Sequence, residues 1–244
     1  PIGFSHSNEY VISDVNTICN RMRGNNRMSS GVQMVCNDNI SSSPDFIDIM
    51  NPGTFNGLIK MTFEQKTQPF STIMAQAEDE FSNGFPMENF GQLLIGIYST
   101  VGMKSRIRDG VFRLDLEHEE SFGHYIMAKL DMKNSRLIFY DSYSDDIRKS
   151  QYFDFPLISR IIHGMHDYYT AKRKMPPKPL EVFQQPMMHQ SGSDCGCHTL
   201  INIELLLRRK DPAIQSFNTE LIRKIRKYHF LLANKFLHEF LLDL

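Results

Sequence analysis

Tryptophan is absent from all 244 residues, cysteine occurs only four times, and the two signs of charge nearly cancel. No run of 18 apolar residues exists, which excludes an ordinary transmembrane helix, and residues 1–30 lack a signal-peptide core. The cysteines at 19, 36, 195 and 197 are too few for a disulfide-held scaffold. Cys195 and Cys197 also stand too close for an unstrained bond, so a reducing compartment, cytoplasmic or nuclear, is expected. With 27 basic and 28 acidic residues the net charge is −1, and the whole-chain field offers no case for nucleic acid. No internal repeat is visible. The chain begins at Pro1 without Met and reads as an excised fragment, from which a targeting signal would have been cut.

What is present is enough to build a core: 41% of the residues are hydrophobic, and the length suits one large domain or one domain with an appendage. Residues 1–80 are expected to form an irregular N-terminal extension or small subdomain, a candidate substrate-binding region, and residues 81–244 the main domain. The first part is dense in turn-forming residues, as in Arg23-Gly24-Asn25-Asn26 and Asn37-Asp38-Asn39, between short apolar pieces. A helix is predicted from about Thr72 to Phe81. Pro86 is read as opening another, with Leu93, Leu94, Ile97 and Tyr98 as its apolar face. Strands are predicted at Val111–Leu116, His124–Leu130 and Arg136–Tyr140, the last two joined as an antiparallel hairpin; an acidic loop, Glu117–Glu120, follows the first. Pro156 to about Tyr169 is read as a helix, Leu180–Phe183 as a short strand, and Asn218 or Thr219 as the cap of a long final helix.

The most informative stretch is His189-Gln190-Ser191-Gly192-Ser193-Asp194-Cys195-Gly196-Cys197-His198. This polar, glycine-broken turn runs into a segment with Leu200, Ile203 and Leu207 on one helical stripe, which puts Cys195 in a first helical turn. Backbone N–H groups and the dipole there favour the thiolate, the form that attacks carbonyl carbon. A free cysteine is more often a buried core residue, and the turn alone does not decide between the two. Its companions do. His124 starts one hairpin strand and Asp141 follows the end of the next, so both lie at one end of the sheet. An imidazole bonded to a carboxylate through one nitrogen can take a proton from a thiol with the other.

Gly123-His124-Tyr125, then Phe139-Tyr140-Asp141-Ser142, then Gln190-Ser191-Gly192-Ser193-Asp194-Cys195-Gly196 resemble the ubiquitin-like-protein-specific cysteine proteases. That family holds deSUMOylases, deneddylases, bacterial effector deubiquitinases and viral proteases of the adenain-like clan. The resemblance covers roughly residues 85–240. It implies an α+β, papain-like cysteine protease domain over 81–244, with a central mixed or antiparallel sheet flanked by helices. It also implies a substrate, ubiquitin or a ubiquitin-like modifier, cut after its C-terminal Gly-Gly. By position it makes Cys195 the nucleophile, His124 the general base and Asp141 its orienting carboxylate. A glutamine side chain would join the Cys195 N–H as oxyanion donor, and Tyr125 and Gly196 would border the substrate tail. No cofactor is implied, a monomer is expected, and a pathogen's member would be delivered into a host cell.

Two departures from the family pattern stand out. Tyr125 replaces the Trp that usually follows the histidine and covers the tail. His189 occupies the usual place of the oxyanion glutamine, six before the cysteine; Gln190 lies five before, and Gln184 and Gln185 are near. Gln190 is the expected donor, because Gly192 allows the loop to contract by a residue. Two other chemistries use the same residues: acetyl transfer from acetyl-CoA, and viral or other processing at glycine-rich sites. Cys195-Gly196-Cys197-His198 resembles half a zinc site, but no second Cys/His pair lies at the needed spacing, so no metal is expected. His163 and His166, one turn apart, read as a polar helix face. The basic runs Lys172–Lys174 and Arg223–Lys227 read as solvated faces, or as contacts for the modifier's body.

Overall fold

The computed structural model describes residues 12–29, 46–100, 123–150, 152–187, 189–190, 194–212 and 219–233. The strand expected at 111–116, the acidic loop after it and Cys36 lie outside these residues. Five strands form one mixed sheet in sequential order: β1 (Ile47–Met50), β2 (Gln92–Thr100), β3 (Gly123–Asp131), β4 (Arg136–Tyr140) and β5 (Glu181–Gln185). The β2–β3 and β3–β4 pairs are antiparallel, and the two outer pairs are parallel. This is the α+β architecture expected, and the hairpin falls where the sequence puts it, with Asp131 opposite Arg136.

Helices cover both faces. On one lie α2 (Pro52–Glu64), α3 (Phe70–Glu80) and α4 (Phe155–Lys172). Their apolar sides share a core with Leu93, Ile95, Ile126, Leu137 and Phe139. On the other lie α1 (Ile12–Ser29), α5 (Cys195–Leu207) and α6 (Thr219–Ala233). These pack on Leu94, Met127 and Tyr140, the alternate residues of the same strands, as the two-residue period of a strand requires. Helix α5 is buried along most of its length, being wedged between β3 and the two outer helices. Local chemistry sets the helix starts. The Asn51 side chain accepts from Thr54 N at 2.8 Å ahead of Pro52, and Asp154 caps α4 through Leu157 N at 3.1 Å. Both are ordinary N-cap bonds with proline in the first turn.

Two expectations are corrected. Residues 92–100 are the interior strand β2, not part of a helix opened by Pro86. Leu93, Leu94, Ile95 and Ile97 are all buried because helices cover both faces of the strand. A doubly covered strand reads as a continuous apolar run, which mimics the i, i+3, i+4 pattern.

Residues 12–29 and 46–64, expected to be irregular, carry two helices and a strand, while α3 falls on the helix expected from about Thr72 to Phe81. The polar residues that suggested loops are the ones that fasten α1. Arg23, buried, bonds Asp48 of β1 at 2.9 Å and the Asn83 carbonyl at 2.7 Å. Asn26 Nδ2 donates to the Ile47 carbonyl at 2.6 Å, and Asn16 Oδ1 accepts from Gly53 N at 2.9 Å. Buried polar groups must be partnered, so an interior face of this kind looks hydrophilic in sequence. No helix among the described residues is long and apolar enough to cross a membrane.

Candidate active site

Strand alternation sends Ile126, Ala128 and Leu130 of β3 into the α2–α4 core and Tyr125 and Met127 into the α5 core. His124, two residues before Ile126, therefore belongs to the first face. Asp141, two residues after Phe139, belongs to it as well, one residue past the end of β4. His124 Nε2 donates to Asp141 Oδ1 at 2.7 Å, and both side chains are buried. The same carboxylate oxygen accepts from the backbone N–H of Tyr143 at 2.8 Å, so Asp141 is held by the turn it opens.

Cys195 approaches from the opposite layer. As the first residue of α5 it reaches the sheet end at the helix N-terminus, 8% exposed. Its thiol lies near enough to His124 to raise the proton affinity of the imidazole. With Nε2 bonded to Asp141, Nδ1 is the ring nitrogen left for proton transfer. Burial lowers the affinity of His124 for a proton, but the bond to Asp141 and the nearby Cys195 outweigh it and raise the pKa to about 9. Three rings surround the imidazole, those of Tyr152, Tyr143 and Phe153, with centroids 5.2, 5.6 and 5.7 Å away. The Ser99 hydroxyl, opposite His124 on β2, fixes this wall by donating to the Tyr152 carbonyl at 2.7 Å. Sequence reasoning missed these rings. Their signal was the aromatic spacing after the Tyr-Asp-Ser turn.

The candidate oxyanion donors part company. Gln190 N donates to the Ser142 carbonyl at 2.7 Å, and its side-chain Oε1 accepts from the Ser142 hydroxyl at 2.7 Å. This pins Gln190 beside Asp141 and assigns the oxygen end of its amide. Gln184 is engaged at both ends, accepting from Ile147 N at 2.6 Å and donating to the Ser144 carbonyl at 2.5 Å. Gln185 ends β5 opposite Tyr140. His189 is 61% exposed and pairs with Asp145 at 3.2 Å, out in solvent.

Tyr125 is buried on the α5 face, its ring 4.4 Å from that of Tyr98, in the same cluster as Cys195. Gly196 is buried in the first turn of α5. Gly123 has a clear reason to be glycine: a Cβ there would overlap the Tyr98 ring. Cys19 and Cys197 are fully buried, and burial pushes the Cys19 thiol up to about 12. Elsewhere, His163 donates to the Ser159 carbonyl at 2.7 Å while His166 is buried, so the two do not share one polar face. Among the described residues no group of three or more His, Cys, Asp or Glu side chains is placed to hold a metal ion.

A mixed sheet with a cysteine at a helix start on one layer and a His–Asp pair at the strand ends of the other defines a papain-like α+β fold. Solved structures share it. The SUMO protease Ulp1 with its catalytic cysteine oxidised to a sulfinic acid superposes with a TM-score of 0.55 at 11% identity, over 94% of this chain and 79% of that one. The C-terminal Ulp1 protease domain in complex with Smt3, the yeast ortholog of SUMO, gives 0.51 at 12% identity, over 94% and 77%. A weaker likeness is to ChlaDub1 from Chlamydia trachomatis, with a TM-score of 0.43 at 11% identity, over 91% of this chain and 93% of that one. No family model and no curated protein matches the chain in sequence.

Proposed function

We propose that this chain is a cysteine peptidase that removes ubiquitin or a ubiquitin-like modifier by cutting after its C-terminal Gly-Gly. It acts as a monomer and without a cofactor. The observation that carries this reading is a buried imidazole bonded to a buried carboxylate, with a helix-start cysteine near enough to raise its proton affinity. In the proposed reaction His124 takes the Cys195 proton, and the thiolate attacks the carbonyl of the terminal glycine. The resulting imidazolium, stabilised by Asp141, protonates the departing lysine amine. Water, deprotonated by His124, then hydrolyses the thioester and returns the free carboxylate and thiol. The Cys195 N–H and the Gln190 side chain hold the oxyanion of both tetrahedral intermediates.

Tyr125 and Gly196 would bound the channel for the tail: Gly196 adds no side chain beside the nucleophile, and Tyr125 lies in the cluster that includes Cys195. Similarity to a protease domain solved with Smt3 supports a modifier as substrate class. The test is a panel of ubiquitin and ubiquitin-like probes bearing electrophilic C-termini. Covalent capture on Cys195 by one or more, lost in Cys195→Ala, is expected. Capture by none, together with acetylation of Cys195 by acetyl-CoA and transfer to protein, would replace this reading with acetyl transfer.

A further inference from the structure

The basic run Arg223-Lys224-Ile225-Arg226-Lys227 looks solvated in sequence, yet Arg226 does not point into solvent. Its Nη2 pairs with Oδ1 of Asp194, the residue just before the nucleophile. Both side chains are mostly buried, at 21% and 16% exposure. Asp194 is the N-cap of α5, the position from which an aspartate ordinarily accepts a bond from the second or third helical N–H. Here it makes no side-chain capping bond. Its main chain does take part in the helix, accepting from His198 N at 2.9 Å. The carboxylate is thus turned off the helix start and toward α6.

That orientation has two chemical effects. A carboxylate folded onto the first turn would compete with an oxyanion for the N–H groups there. A carboxylate one residue from the thiol also disfavours thiolate unless a cation answers it. Among the described residues, the titratable and charged groups around this turn are His124, Asp141 and Tyr125 from the sheet, Asp14 and Cys19 on α1, Cys197 and His198 on α5 itself, and Arg226 and His229 on α6. Arg226 alone among them is a permanent cation. Its guanidinium forks over a carboxylate with a fixed geometry that lysine cannot reproduce.

We propose that Arg226 is a positioning residue for the nucleophile: it holds the Asp194 carboxylate away from the start of α5 and offsets its charge. The N-terminal N–H groups of the helix then serve Cys195 and the developing oxyanion. The proposal deepens the peptidase reading but concerns only the reactivity of the thiol.

The test is therefore run without any modifier. Alkylation of Cys195 in the full chain by iodoacetamide, in which a new S–C bond displaces iodide, is followed by mass spectrometry across pH. Arg226→Gln removes this cation from the carboxylate, so the acid limb should move to higher pH, with the rate at pH 7 down by roughly ten-fold, the scale of a partly buried helix-end charge. Asp194→Asn removes the carboxylate and leaves the cation, so the limb should move to lower pH. The double variant should lie near wild type. Loosening of the turn alone would move both single variants the same way, and that outcome overturns the proposal. If Arg226→Gln fails to fold, an Asp194→Asn limb that stays put or rises overturns it unaided. Should the modifier probes fail while these opposite shifts appear, the substrate reading falls and this one stands.

Discussion

Asp141 Oδ1 receives two donors at once, His124 Nε2 at 2.7 Å and the backbone N–H of Tyr143 at 2.8 Å. The backbone bond locks the carboxylate before the imidazole arrives, so the pair is oriented by the turn rather than by the histidine. Asp141→Asn keeps the shape but loses the charge that stabilises imidazolium. It should lower kcat on a modifier conjugate by about 10⁴ with the fold intact, the scale seen when a triad carboxylate is made neutral. The His124 titration, followed by NMR, should fall well below about 9 in the same variant. A His124 titration left in place would mean that the raised pKa has another source.

The pH dependence of stability should have two limbs. His124 binds its proton more tightly folded than unfolded, with a pKa of about 9 against 6.5. Its contribution is therefore complete below about 6.5 and is lost as pH rises toward 9. His229 is the reverse: burial and then Arg226 push it down to about 3. The unfolded chain gains that proton first, so stability falls as pH drops from 6.5 toward 3. Thermal melts of the wild type should peak between the limbs. His124→Gln should flatten the alkaline side, and His229→Leu the acid side.

Gln190→Ala should lower kcat by about 10²–10³ with KM little changed, the pattern of a contact made in the transition state. Ser142→Ala, which only releases the amide oxygen of Gln190, should cost less in the same direction. Gln184→Ala should act on stability instead, because that side chain ties β5 to the 144–147 turn. A steady-state comparison of the three that gave Gln184→Ala the largest kcat loss would move the donor to that position.

Gly123→Ala places a methyl against the Tyr98 ring, an overpacking expected to cost about 1–3 kcal/mol. Because His124 is the next residue, activity should fall along with the melting temperature. Tyr98→Leu in the same chain should recover part of both. Failure of the second change to recover either would mean that the two side chains do not meet.

The elements that were legible in sequence are those whose local signals agree with their tertiary setting. The β3–β4 hairpin alternates and turns where it must, α4 opens on an aspartate and a proline, and α5 begins at Cys195. The choice of His124, Asp141 and Cys195 as candidates came from these elements, and the structure joins the first two in one hydrogen bond. Where burial came from both sides, or through polar partners, the signal inverted. Leu93 to Ile97 form a strand that looks helical because both faces are covered. Arg23, Asn26 and Asn16 form a helix face that looks like a loop because its interior bonds are polar. Arg226 was hidden for the same reason, as a buried partner inside a basic run. Gln190 was chosen from loop spacing, which does not encode that its amide meets Ser142 while that of Gln184 meets the 144–147 turn.

The thiol and the imidazole belong to opposite layers, each backed by its own hydrophobic core and meeting only past the end of the sheet. Their separation is thus set by the thickness of the whole sandwich, and the site works as a gauge of it. A void opened in either core, at Phe55 or at Ile203, lets one layer settle by tenths of an ångström and lengthens the sulfur–nitrogen contact while the strands stay paired. In mild denaturant, reactivity should therefore fade before the circular dichroism of the sheet does, making turnover the most sensitive readout of how tightly this chain is packed.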